Sequence, residues 1–170
     1  INYLFKKLDC TIIKVEKVSS HGGSIRCYIK KNKTKQTFKI KKILKSELMF
    51  GINKKNIFVE FSKKLEKKKT KFKKFLFKNR DKNILGYGAA AKTSTILNYL
   101  KISDDLKFII DDNELKQNHY IPGTKIKIIS RKHVTKNIDF LIVFAWNYFN
   151  EIKKKIRYAK NVISIREFFK

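Results

Sequence analysis

Asn83-Ile84-Leu85-Gly86-Tyr87-Gly88-Ala89-Ala90-Ala91-Lys92-Thr93 is the stretch that decides the fold of this chain. A short apolar run ends in two glycines one residue apart, and a helix-forming segment follows. This is the relaxed G-x-G-x-x-G/A pattern in its proper setting, with a strand before it and a helix after it. The first Gly permits a tight turn, the second lets a ligand approach the backbone, and Ala91 keeps the helix near the sheet. The unpaired N–H groups at the helix start suit a phosphate or carboxylate. Asp111-Asp112 follow at the end of the next predicted strand, where a ribose-binding carboxylate stands in dinucleotide enzymes. Gly86–Thr93 also approaches G-x-x-x-x-G-K-[ST], but Ala91 replaces the Gly before Lys92. Asp139 precedes its apolar run instead of following it, so a P-loop is not expected.

Downstream, strands and helices alternate. Strands are predicted at 83–86, 107–110, 125–129, 139–145 and 161–165, and helices at 89–100, 130 to about 136, and 150–159. Ser130 is a candidate cap for the middle helix. Such alternation predicts an α/β fold: a Rossmann-like parallel sheet flanked by helices, joined by right-handed crossovers. In the strand order 3-2-1-4-5, the loops after strands one and four face each other across a crevice. Those loops are Gly86–Lys92 and Ala145-Trp146-Asn147-Tyr148. Trp146, the only Trp in the chain, suits stacking on a base or sugar, or equally packing at a helix start. Asn147 would bond a polar edge. Lys92 either meets a phosphate or is a first-turn surface lysine.

Upstream, residues 1–31 read as a helix end followed by a β-hairpin, Cys10–Ser19 and Ser24–Ile29, around the turn Ser20-His21-Gly22-Gly23. So small a piece cannot bury enough surface to stand alone and must complete a sheet supplied by something else. Residues 32–82 read as a helical connector. In its first helix Ile40, Ile43, Leu44 and Leu48 share a face and Gly51 stops it. In its second, Asn53 is the candidate cap and Phe58, Phe61, Leu65, Phe72, Phe75 and Leu76 keep close to a 3.6 period. Lys67-Lys68-Lys69 falls on the outer side as a solvated face. Residues 83–170 are the Rossmann-like domain.

The formal net charge is +28, which by itself suggests nucleic acid. Residues 30–82 hold 21 Lys and Arg against 4 Asp and Glu, and residues 83–170 hold 16 against 8. Nearly all the cations are Lys, and Asn and Ile are common, the bias of an AT-rich genome accumulating on tolerant surface positions. Neither Arg-rich base contacts nor an aromatic platform is visible, so nucleic acid is not the expected partner. The two cysteines, Cys10 and Cys27, lack metal-ligand spacing and fit a reduced, cytoplasmic protein. No signal peptide or membrane-spanning run is found. The chain opens on Ile1 and reads like the middle of a protein.

Five blocks in order carry a resemblance: His21-Gly22-Gly23-Ser24-Ile25-Arg26, Gly86-Tyr87-Gly88-Ala89-Ala90-Ala91-Lys92, Asp111-Asp112-Asn113-Glu114-Leu115-Lys116-Gln117, Ile121-Pro122-Gly123-Thr124 and Ala145-Trp146-Asn147-Tyr148. Together they resemble the C-terminal part of the S-adenosylmethionine-dependent nucleotide-sugar C-methyltransferases. The resemblance implies that residues 1–31 are the closing hairpin of an upstream methyltransferase domain of the same chain. It implies S-adenosylmethionine held by that domain, and zinc held by a small N-terminal domain. The implied reaction is methyl transfer to a carbon of a deoxy-keto-sugar, often linked to dTDP. A base removes a proton beside the ketone, and the enolate takes the methyl group. The acid/base residues are expected upstream, which leaves this chain alone inactive, with His21 the one catalytic candidate it contains. Gly86, Tyr87, Gly88, Lys92, Lys116, Trp146 and Asn147 are the implied contacts to the nucleotide-sugar. No metal site is expected in this chain, and Asp111 and Asp112 become candidates for a structural role. Two other readings are a non-catalytic nucleotide-binding module and a basic nucleic-acid-binding protein using residues 30–82.

Overall fold

A computed structural model describes residues 1–102, 105–134 and 137–169. The chain has two compact units, residues 1–61 and 62–170.

In the first unit, helix α1 (Asn2–Lys7) leads into the antiparallel strands β1 (Cys10–Val18) and β2 (Ser24–Lys31). The adjacent Ile12 and Ile13 break strict alternation, and a register shift between Ile12 and Lys14 absorbs them. Ile12 is buried and Ile13 is exposed, with successive side chains on opposite faces of the strand. The turn between the strands holds His21 at φ 53 and Gly23 at φ 121. Among the described residues no third strand joins this pair. Helix α2 (Phe38–Phe50) ends at Gly51, whose N–H bonds back to the Leu48 and Glu47 carbonyls. Of its expected apolar face only Ile40 is fully buried, and Leu48 is exposed.

Helix α3 (Lys55–Lys78) begins after Lys54, so Asn53 does not cap it. Its apolar stripe is used unevenly: Phe58 and Phe61 are exposed, whereas Phe72 and Leu76 are buried. The lysine run on α3 is not simply a solvated face. Lys68 donates to the Phe169 carbonyl, and Lys69 lies 5.1 Å from the centre of the Tyr99 ring. Long lysine stems lie along protein surface while their ammonium groups find polar partners.

The second unit is built on five parallel strands: β3 (Ile84–Tyr87), β4 (Phe108–Ile110), β5 (Lys127–Ile129), β6 (Ile138–Val143) and β7 (Ala159–Ser164). Their spatial order is β5-β4-β3-β6-β7, the 3-2-1-4-5 order expected from the sequence. Alternate side chains divide the core into two layers. Ile84, Ile109, Ile128 and Ile142 face one layer with Phe72 and Leu76 of α3 and Leu97 and Leu100 of helix α4 (Ala91–Leu100). Leu85, Ile110, Ile129 and Leu141 face the other, where Ile156 closes the end of helix α5 (Phe149–Lys155). Burying these branched side chains is worth about 1.5–3 kcal/mol each before chain entropy is counted.

Two helices differ from expectation. The segment after Ser130 is one 3₁₀ turn, Arg131–His133, with Ser130 accepting from the Lys132 N–H; residues 135 and 136 lie outside the described residues. Helix α5 stops at Lys155 because the chain is already extended at Ile156 and enters β7 at Ala159.

Candidate functional site

The loops after β3 and β6 come together in the second unit, beyond the carboxyl ends of two neighbouring strands. Gly88 has φ +94, and a Cβ there would stand 2.8 Å from the Ala145 Cβ. Ala145 opens the second loop, so this closeness is what joins the two turns. Gly86 is needed for a different reason: a Cβ would meet Ile109 at 2.7 Å and Phe144 at 3.1 Å. Both glycines therefore have a packing reason of their own, apart from any ligand.

Beneath the turn, Asp111 gathers the backbone. Its carboxylate accepts from the Ala89 N–H at 2.7 Å and the Asn113 N–H at 2.9 Å, and the Lys116 ammonium lies at 3.4 Å. The Gln117 amide donates to the Asp111 carbonyl at 3.0 Å. Asp111 is buried, and a carboxylate so placed requires such donors. It is thus the fastener between β4 and the glycine turn rather than a free ribose acceptor. Thr93, fully buried, completes the turn: its hydroxyl donates to the Gly88 carbonyl at 2.6 Å and accepts from the Ala90 N–H at 3.3 Å. Helix α4 consequently starts at Ala91, two residues after the expected Ala89.

Across the crevice, the Lys92 ammonium lies 4.5 Å from the centre of the Trp146 ring. Trp146 packs against the core with one side, while Asn147 beside it is exposed. An ammonium over an indole face is a favourable cation–π contact. It leaves a cation, an aromatic edge and an amide at one opening.

The Tyr87 hydroxyl donates to the exposed Asp112 carboxylate at 2.5 Å. Burial, and then this bond, push the Tyr87 phenol well above its usual range, so it stays protonated. On the same side of the sheet the Arg131 guanidinium stacks 3.5 Å from the centre of the Tyr158 ring. Burial raises the Tyr158 phenol against the opposing pull of Arg131.

The structure thus brings Gly86, Tyr87, Gly88, Lys92, Lys116, Trp146 and Asn147 to the carboxyl end of one sheet. Lys116 is turned inward to Asp111, and Lys92 is turned toward Trp146. His21 belongs to the first unit, exposed in the hairpin turn. Sequence reasoning missed the parts played by Thr93, Arg131 and Tyr158. A hydroxyl three residues after Ala90, at the third position of the helix, can accept from the Ala90 N–H and is a one-sided signal for Thr93, whereas no local pattern pairs Arg131 with Tyr158. Among the described residues no group of three or more His, Cys, Asp or Glu side chains is placed to hold a metal ion, and no helix is long and apolar enough to cross a membrane.

Comparison with known proteins places the chain in a family. The C-methyltransferase NovU of Streptomyces niveus is 26% identical over 155 residues, which cover 88% of this chain and 37% of that protein. The chain therefore spans well under half the length of this relative. The family described as the C-methyltransferase C-terminal domain matches residues 19–163. That match takes in the hairpin turn, the glycine turn and the Trp146 loop, and the chain belongs to the C-methyltransferase C-terminal domain family.

Proposed function

We propose that this chain is the C-terminal part of a cytoplasmic, S-adenosylmethionine-dependent C-methyltransferase acting on a nucleotide-linked deoxy-keto-sugar, of which dTDP-sugars are the first to test. In this reading the crevice between the loops after β3 and β6 holds the nucleotide-sugar. Lys92 offers charge to a phosphate, Trp146 a stacking face and Asn147 an amide, while the Asp111 network keeps the glycine turn rigid. Lys116 contributes through Asp111, and Tyr87 presents its phenol and Asp112 at the rim. The observation that carries the reading is the Lys92–Trp146 contact, which sets a cation and the chain's one indole together at the topological switch point.

The methyl donor and the zinc belong to upstream segments of the same protein, and so does the acid/base machinery; His21 is the one catalytic candidate in this chain. Support for a covering upstream domain comes from the first unit. Its two strands, α1 and α2 leave an open cleft of about 570 Å³ lined by Ile12, Val15, Ile25, Ile40 and Leu44. An apolar cleft of that size beside a two-stranded sheet is the surface a missing neighbour would bury.

The test is incubation of the full-length protein with S-adenosylmethionine and a panel of nucleotide-linked keto-sugars, read by mass spectrometry. The expected result is the gain of one methyl group on one sugar class. If every sugar in the panel stays unmethylated while the protein binds S-adenosylmethionine, the reading fails.

A further inference from the structure

The two edges of the five-stranded sheet are finished differently. Along β5, the Ile128 N–H donates to the His119 carbonyl at 2.8 Å, the Asn118 N–H donates to the Ile128 carbonyl at 2.9 Å, and Tyr120 bridges Lys127. That edge is closed. At the other side, β7 pairs with β6 alone among the described residues. The Ser164 N–H at its end donates to the Glu167 carboxylate at 3.4 Å, while the outward N–H and C=O groups along residues 159–163 remain open to another strand.

The surroundings of this open edge are basic. Lys153, Lys154 and Lys155 end helix α5, Arg157 follows, and Lys160 stands on the strand. Lys160 is committed to Asp139 at 2.8 Å. Among the described residues no carboxylate lies within ion-pairing distance of Lys153, Lys154, Lys155 or Arg157. A groove beside the strand is lined by Lys153, Ile156, Arg157, Lys160, Val162 and Ile163. It offers backbone pairing, some apolar contact on each face of the strand and a positive rim.

We infer that the β7 edge accepts an extended acidic segment of a partner polypeptide, which adds as a sixth strand with its carboxylates against Lys153 and Arg157. Strand addition draws affinity from main-chain hydrogen bonds and specificity from alternate side chains. Charge decides which strand can approach. A second copy of this chain would bring its own Lys153, Arg157 and Lys160 against the same cations, so self-pairing is opposed. A nucleic acid would satisfy the lysines but leave the open amides and carbonyls unpaired. This inference is independent of the crevice between the loops after β3 and β6 and of any methyl transfer.

The test uses the whole chain and three probes: a short peptide of alternating Glu and Val, a peptide of equal charge with Pro replacing alternate Val residues, and single-stranded oligothymidylate. Binding is followed by calorimetry, and backbone protection by hydrogen–deuterium exchange. The expected result is binding of the Glu-Val peptide, with exchange across residues 159–164 slowed roughly tenfold or more. The doubly substituted Lys153→Glu, Arg157→Glu protein, altered only at exposed positions, should bind it about tenfold more weakly with an unchanged circular dichroism spectrum. Equal binding of the Pro-containing peptide, tighter binding of the oligonucleotide, self-association through residues 159–164, or no peptide binding would each overturn the proposal.

Discussion

In residues 62–170, Phe72, Leu97, Ile109, Ile126 and Leu141 are wholly screened from solvent, whereas in residues 1–61 Phe38 is 81% exposed, Met49 79% and Phe50 69%. Both regions are rich in apolar side chains, so composition does not separate them. Topology does. Five strands with helices on both faces cover their inward side chains, while two strands and two helices leave many of theirs in solvent or lining an open cleft. Helix α3 shows the same contrast within one element: Phe58 and Phe61 near its start are exposed, and Phe72 and Leu76 near its end are buried. An amphipathic stripe states that a face is to be covered without saying which part of the protein covers it.

This contrast can be broken by substitution. The largest effect belongs to Phe72→Ala, which removes a fully buried ring in edge-on contact with Phe168. A loss of about 3–5 kcal/mol in thermal or denaturant unfolding is expected; a loss below about 1 kcal/mol would mean that residues 62–170 are not the well-packed region. Next comes Gly88→Ala, which forces a Cβ against Ala145 at a positive φ. It should cost about 1–3 kcal/mol and weaken binding of any ligand that uses the Lys92–Trp146 opening. Thr93→Val keeps the shape but removes the hydroxyl from the Gly88 carbonyl, with about 1–2 kcal/mol lost.

The phenol of Tyr87 gives a pH signature. Its folded pKa is raised above the unfolded value near 10, so the folded form holds the proton that the unfolded chain releases. Stability from this group is therefore complete below about pH 10 and falls as pH rises past that value. Tyr87→Phe should flatten this alkaline decline, measured as the fall in melting temperature across that range, at a cost of about 1 kcal/mol near neutrality for the lost hydrogen bond. The smallest effect belongs to the first unit. Phe38→Ser with Met49→Ser should change unfolding free energy by about 0.5 kcal/mol or less while reducing self-association seen by light scattering. A large destabilisation there would show that these side chains are already buried in solution.

Much of the second unit was legible in the sequence. The glycine turn, the strand alternation and the facing loops follow from periodicity and turn chemistry, and the strand order follows from them. The reasons behind single residues were less visible. Gly86 reads as a turn residue, yet it serves the packing of Ile109 and Phe144, which only strand pairing brings beside it. Asp111 stands where a ribose carboxylate would be expected and instead fastens Ala89, because the side chain turns under the loop. The cover over β5 comes from residues 118–121, a segment with no strand pattern of its own. The Arg131–Tyr158 stack joins residues far apart in sequence and leaves no local trace. In the first unit the hairpin and both helices were readable, but the expected burial of Leu48 and Phe58 was not met, since periodicity records a tendency and not a partner.

The Lys92–Trp146 contact has a further consequence for optical spectroscopy. Trp146 is the chain's single indole, so light absorbed selectively by tryptophan reports from one address. Its excited state is sensitive to the field of the ammonium 4.5 Å from the ring centre. An anion that draws Lys92 away changes that field directly. The emission maximum and intensity therefore form a built-in, label-free gauge at the opening between the two loops.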